Sequence, residues 1–113
     1  MSYSWHEEYY KKAIKDILKT AGKKCQYSQY KCDGWTDWFE QNHPEAYQKY
    51  INAYQKIEGL WGNMNPQAME EFKAAVKIEI EATKWAVDKY LEFQKQQADE
   101  EALKGTQEAL TLK

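Results

Sequence analysis

Glu40 and His43 stand three residues apart, a spacing that puts a carboxylate and an imidazole on one face of a helix, as in di-iron bundles. Such centres use the pair twice and add two further inward glutamates. This chain has one copy, and its histidine precedes Pro44. The other histidine, His6, is remote in sequence, so no metal site is expected. Cys25 and Cys32 could close a small disulfide loop in an oxidising compartment. The N-terminus, Met1-Ser2-Tyr3-Ser4-Trp5-His6-Glu7-Glu8, carries acids where a secretory signal would be basic and then apolar. The expectation is therefore two free thiols and a cytoplasmic protein. Ser2, Ser4, Ser28 and the cysteines supply hydroxyls and thiols, but no nucleophile elbow surrounds any of them. The glycines do not pair at the spacing of a phosphate-binding loop. Glu70, Glu71, Glu79 and Glu81 have the distribution of solvated helix faces. The chain is read as non-enzymatic, with no cofactor.

All 16 basic residues are lysine. Lysine is a point charge and lacks the planar fork with which arginine reads phosphates and guanine edges, so sequence-specific DNA reading and arginine-finger chemistry are disfavoured. The skew fits an AT-rich coding genome and is compatible with a phage or mobile-element accessory protein. The formal net charge is −2, but unevenly spread: residues 1–32 hold seven Lys against Glu7, Glu8 and Asp16, leaving an acidic remainder.

These groups must be positioned by helices. Hydrophobic residues make up 42% and charged residues 30% of 113 residues, with five Gly and two Pro, the balance of one ordered domain. Ser4 and Glu7 form a capping box for a first helix that is expected to end at Gly22, with Tyr10, Ala13, Ile14, Ile17, Leu18 and Ala21 as its apolar stripe. Residues 23–34 lack a clean period and are expected to be a loop. A short helix capped by Asp33 or Thr36 then carries Trp35, Trp38 and Phe39 and stops before Pro44. The next helix starts at Pro44, with Tyr47, Tyr50, Ile51, Tyr54, Ile57 and Trp61 on one face, and is closed by Gly59 and Gly62. Asn65 and Pro66 cap and open the last helix.

From Pro66 to about Lys104 nothing breaks the helix, and at 1.5 Å per residue the span is roughly 58 Å. A compact domain of this size is about 35 Å across. The helix must break, most plainly near Gln94-Lys95-Gln96-Gln97, or project. Met69, Phe72, Val76, Ile80, Val87 and Tyr90 form one stripe, and Ile78, Trp85 and Phe93 lie off it, the pattern of a helix with more than one neighbour. The expected architecture is all-α, a small bundle of three long helices and one short one. A single domain over 1–104 is followed by a tail, 105–113, frayed or ordered on a partner.

Five Trp and nine Tyr give 15% aromatic residues. Tyr27, Tyr30, Trp35, Trp38 and Phe39 fall in an irregular stretch and form the candidate contact surface for a protein partner or another copy. This reading makes the chain an interaction or structural protein that docks to a larger assembly or blocks a partner. The alternative is a binder of nucleic acid or an anionic surface through Lys11, Lys12, Lys15, Lys19, Lys23 and Lys24.

Overall fold

The computed structural model describes residues 5–111, with side-chain detail lacking for Thr20 and residues 106–111. The fold is all-α: α1 (Trp5–Tyr27), α2 (Trp35–Asn42), α3 (Pro44–Leu60) and α4 (Pro66–Thr111), with no strand among the described residues. The proposed Ser4 cap and residues 112–113 lie outside the described residues.

α4 is the spine. Its N-terminus is set by Asn65, whose Oδ1 accepts from the Gln67 amide at 2.9 Å, just ahead of Pro66. α1 runs parallel to it: Trp5 packs edge-on against Phe72, the Tyr10 hydroxyl reaches Glu79, and Lys24 pairs with Asp88. α3 runs antiparallel, with Trp61 against Phe72 at one end and His43, just before α3, against Trp85 at the other. α2 lies across both α3 and α4. The core gathers Ala13, Ala53, Ile57, Phe72, Ala75 and Val76, all buried. Burial of Phe72 alone is worth about 3 kcal/mol. The alanines matter as much, because they let the helices approach closely around the larger rings.

α4 is continuous and does not break at Gln94–Gln97. It spans about 69 Å at 1.5 Å per residue, and the molecule measures 74 × 27 × 16 Å with a radius of gyration of 19.3 Å. A compact domain would have a radius near 13 Å. The tail expected from residue 105 is likewise helical, to Thr111.

Three local expectations are corrected. α1 runs through Gly22 to Tyr27, because Gly22 is exposed and the segment beyond it is anchored by Lys24 on Asp88. α2 is capped by Gly34 instead of Asp33 or Thr36: its φ of 86° turns the chain in the left-handed region, where glycine is unstrained. A Cβ there would lie in ordinary contact with the Tyr90 hydroxyl, so the positive φ is what favours glycine. Finally, Cys25 and Cys32 are bonded, with Cα atoms 5.8 Å apart, so the expected free thiols are not what the structure holds. α1 extends far enough to bring Cys25 opposite the returning loop.

The disulfide ties the end of α1 to a loop held on α4, where Tyr90 Oη donates to the Asp33 carbonyl and Gln94 Nε2 to the Lys31 carbonyl, each at 2.7 Å. Disulfides persist in oxidising compartments, so in a reducing cytoplasm the same loop would carry two thiols. A loop this short is worth about 2.5 kcal/mol in chain entropy. Cys25→Ser with Cys32→Ser should therefore lower stability to denaturant by about that amount while far-ultraviolet circular dichroism keeps its helical signal. A stability equal to that of the oxidised parent would show that the bond constrains nothing.

Candidate functional site

The five aromatic residues read as one contact surface separate in the structure. Phe39 is fully buried, its ring 5.7 Å from Tyr47 and 5.9 Å from Trp85. Trp38 is half-buried between Tyr90 and Phe93 of α4, with His43 beside it. Trp35 packs on Phe39 and Tyr50. These three are the inner face of α2 and form an aromatic core of their own. Tyr30 is half-buried in the loop, its backbone amide on Ser28 Oγ. Tyr27, 83% exposed at the end of α1, is the one member freely presented to solvent. The cluster is thus chiefly packing, because a helix of eight residues can bury a stripe whose period is too short to read in sequence.

The lysines fall out differently. Lys11, Lys12, Lys15, Lys19 and Lys23 are exposed on the outer side of α1, and Lys24 turns inward to its partner Asp88. Lys11 pairs with Glu7 at 3.0 Å, one turn away. Leu18, counted in the sequence as core, is 65% exposed on this side and sits among the lysines. Asp16 shares the face, so the patch is basic without being uniformly so.

α4 carries two features that the aromatic and lysine patterns do not disclose. The first is an overhang: residues 95–105 are all exposed, and the helix continues to Thr111. At 1.5 Å per residue the helix from Lys95 to Thr111 is about 25 Å long. The second is a groove of about 370 Å³ between α3 and α4, floored by Ala53, Ala74, Ala75 and Ile78 and rimmed by Lys49 and Lys56. Ile78 is 47% exposed and Trp85, one further heptad along, is 39% exposed. The apolar residues off the main α4 stripe were the sequence signal for this second face.

Three groups with displaced protonation, Glu79, Tyr10 and Tyr50, lie between the helices. Glu79 is buried; its Oε1 accepts from Tyr10 Oη at 3.2 Å, while its Oε2 has no hydrogen-bond partner among the described residues. Burial pushes its carboxyl above the ordinary value, partly opposed by the Tyr10 hydrogen bond. Burial first, and then the Glu79 charge, push the Tyr10 and Tyr50 hydroxyls upward. Of the acids singled out earlier, Glu79 is the one withdrawn from water; Glu70 and Glu81 are exposed and Glu71 is half-buried at the groove. Among the described residues no cluster of three or more His, Cys, Asp or Glu could hold a metal ion, and no helix is long and apolar enough to cross a membrane.

Comparison with protein-family models, with curated proteins and with solved structures finds no match for this chain.

The buried carboxyl sets a pH dependence whose sign is the reverse of that of a salt-bridged acid. The folded protein holds the Glu79 proton more tightly than the unfolded chain, so stability is present below the ordinary value of 4.5 and is lost as pH rises toward the folded value. Glu79→Gln keeps an acceptor for Tyr10 and removes the charge. It should raise the melting temperature at pH 7 and flatten the fall in stability above pH 4.5. A lower melting temperature at pH 7 with the parent's slope retained would show that the ionised carboxylate is favourable in place.

Proposed function

We propose that the chain is a non-catalytic helical docking protein, whose packed helices hold α4 as a rigid strut and whose overhanging end engages a partner in a larger assembly or occludes a partner's site. The observation that carries this reading is the exposed helix over residues 95–105, with Leu103 64% exposed on it. A helix held straight by its own packed half presents side chains at defined spacing and loses little conformational entropy on binding. The groove beside Ile78 offers a second apolar surface on the same spine. Tyr27, at the opposite end of α1 from Trp5, supports a contact near the disulfide loop, and the half-buried Trp35 and Trp38 with the buried Phe39 serve that end as support.

A second reading has one observation in its favour, the exposed lysines of α1 around Leu18, which would suit an anionic surface or a nucleic-acid backbone. The two separate on variants of the full chain used as bait in source-cell extract. Docking through the overhang should fail for Leu103→Glu, survive Lys15→Glu with Lys19→Glu, and hold across a salt titration. Loss on lysine reversal, with a steep decline in salt, would replace this reading with the anionic one.

A further inference from the structure

Among the described residues, the large apolar side chains exposed on α4 lie on one line. Ile78 and Trp85 are seven residues apart, and Leu103 follows Trp85 by 18, which is five turns at 3.6 residues per turn. The three therefore share a face of a straight helix, and that face opens into the α3–α4 groove at its Ile78 end. Between Trp85 and Leu103 the same face carries Lys89, Glu92, Gln96 and Asp99.

We propose that a second copy of this chain covers that face, the two α4 helices running antiparallel about a two-fold axis close to Gln94. Two-fold contacts are self-complementary, so each residue number pairs with a fixed counterpart. In one register Trp85 meets Leu103 of the second copy, and Leu103 meets its Trp85. That register also carries the position of Leu110 to that of Ile78, and Lys89 to Asp99. The charged pair sits close to the axis and the apolar pairs sit on either side. Each overhang thereby gains, in Trp85 of the second copy, an apolar neighbour for its exposed Leu103. The contact closes on itself, so the assembly stops at two copies. Because α1 lies on the other side of α4, its lysine face stays open.

The inference rests on the docking role of the overhang and names its partner. It is tested on the purified full chain by light scattering on a gel-filtration peak over a range of concentrations, with small-angle scattering on the same peak. The expected result is twice the chain mass, dissociating on dilution. The two overlapped spines extend the long dimension by only about 16 Å, since the register offsets them by eleven residues at 1.5 Å each. Leu103→Glu, on a residue exposed in the single chain and so harmless to its fold, should weaken association about tenfold or more. Lys89→Glu and Asp99→Lys should each weaken it about fivefold, and the two together should restore it. A chain that stays monomeric at every concentration overturns the inference, as does a dimer indifferent to Leu103→Glu or one nearly twice as long as the single chain. If the monomer still captures another protein through Leu103, only the identity of the partner falls. If Leu103 affects no binding at all, the docking role falls with it.

Discussion

Every helix in this protein is organised by its packing on α4 or on the element that α4 supports. α1 makes its helix-to-helix contact with α4 alone, and α1 and α3 meet through side chains, chiefly the edge-on pair of Tyr10 and Trp61. The continuity of α4 is therefore the constraint on which the rest depends. From Gln67 to Lys104 it contains neither proline nor glycine, so no local device exists to bend it. The other helices must arrange themselves along a straight line. The packing extends along α4 as far as Phe93 and Gln94, and residues 95–105 stand exposed.

The packed half combines two kinds of contact with different jobs. Phe39, Phe72 and Ile57 supply area, and Ala53, Ala75 and Ala86 supply proximity. Neither distinguishes strongly between neighbouring registers, because apolar contact is non-directional. The hydrogen bond from Tyr10 to Glu79 and the pair of Lys24 with Asp88 are directional, and they hold α1 at two points along the spine. The first of them lies at a cost, since it keeps a carboxyl out of water. Thr83, one turn on, satisfies its own buried hydroxyl within α4, its Oγ1 donating to the Glu79 carbonyl at 2.9 Å.

What was legible in the sequence follows from the reach of each signal. Pro44 and the Asn65-Pro66 pair mark helix starts through purely local sterics, and both starts stand where those residues put them. Length alone left α4 either to break near Gln94–Gln97 or to project, and its continuity decides for projection. The end of α1 was not, because Gly22 is a weak stop, costing about 1 kcal/mol against alanine, and the contacts that override it come from Asp88 and Cys32, far off or across a loop. The aromatic cluster was misread for a similar reason: Phe39 owes its burial to Tyr47, Tyr50 and Trp85, none of which is near enough in sequence to betray it. Small core residues were also silent, since Ala53 and Ala75 look like surface alanines until a neighbouring helix is placed. The face along α4 was half visible, as Ile78 and Trp85 off the main stripe; its extension to Leu103 needed proof that the helix stays straight in between.

That a bare rod stands at all has a physical reason. An isolated helix of this length is marginal in water, chiefly because its first turn must be nucleated at a large entropic cost. Residues 95–111 never meet that cost, since each turn is added to one already formed on the packed half. Their composition favours propagation, with Gln, Ala, Glu, Lys and Leu predominating. Glu100 stands one turn ahead of Lys104, the favourable order for such a pair. Gly105 opposes it, so the helix beyond that point is the part most in need of a neighbour. The overhang is thus helical while residues 95–105 stay exposed, a state in which a partner's surface has a preformed shape to recognise and little disorder to overcome.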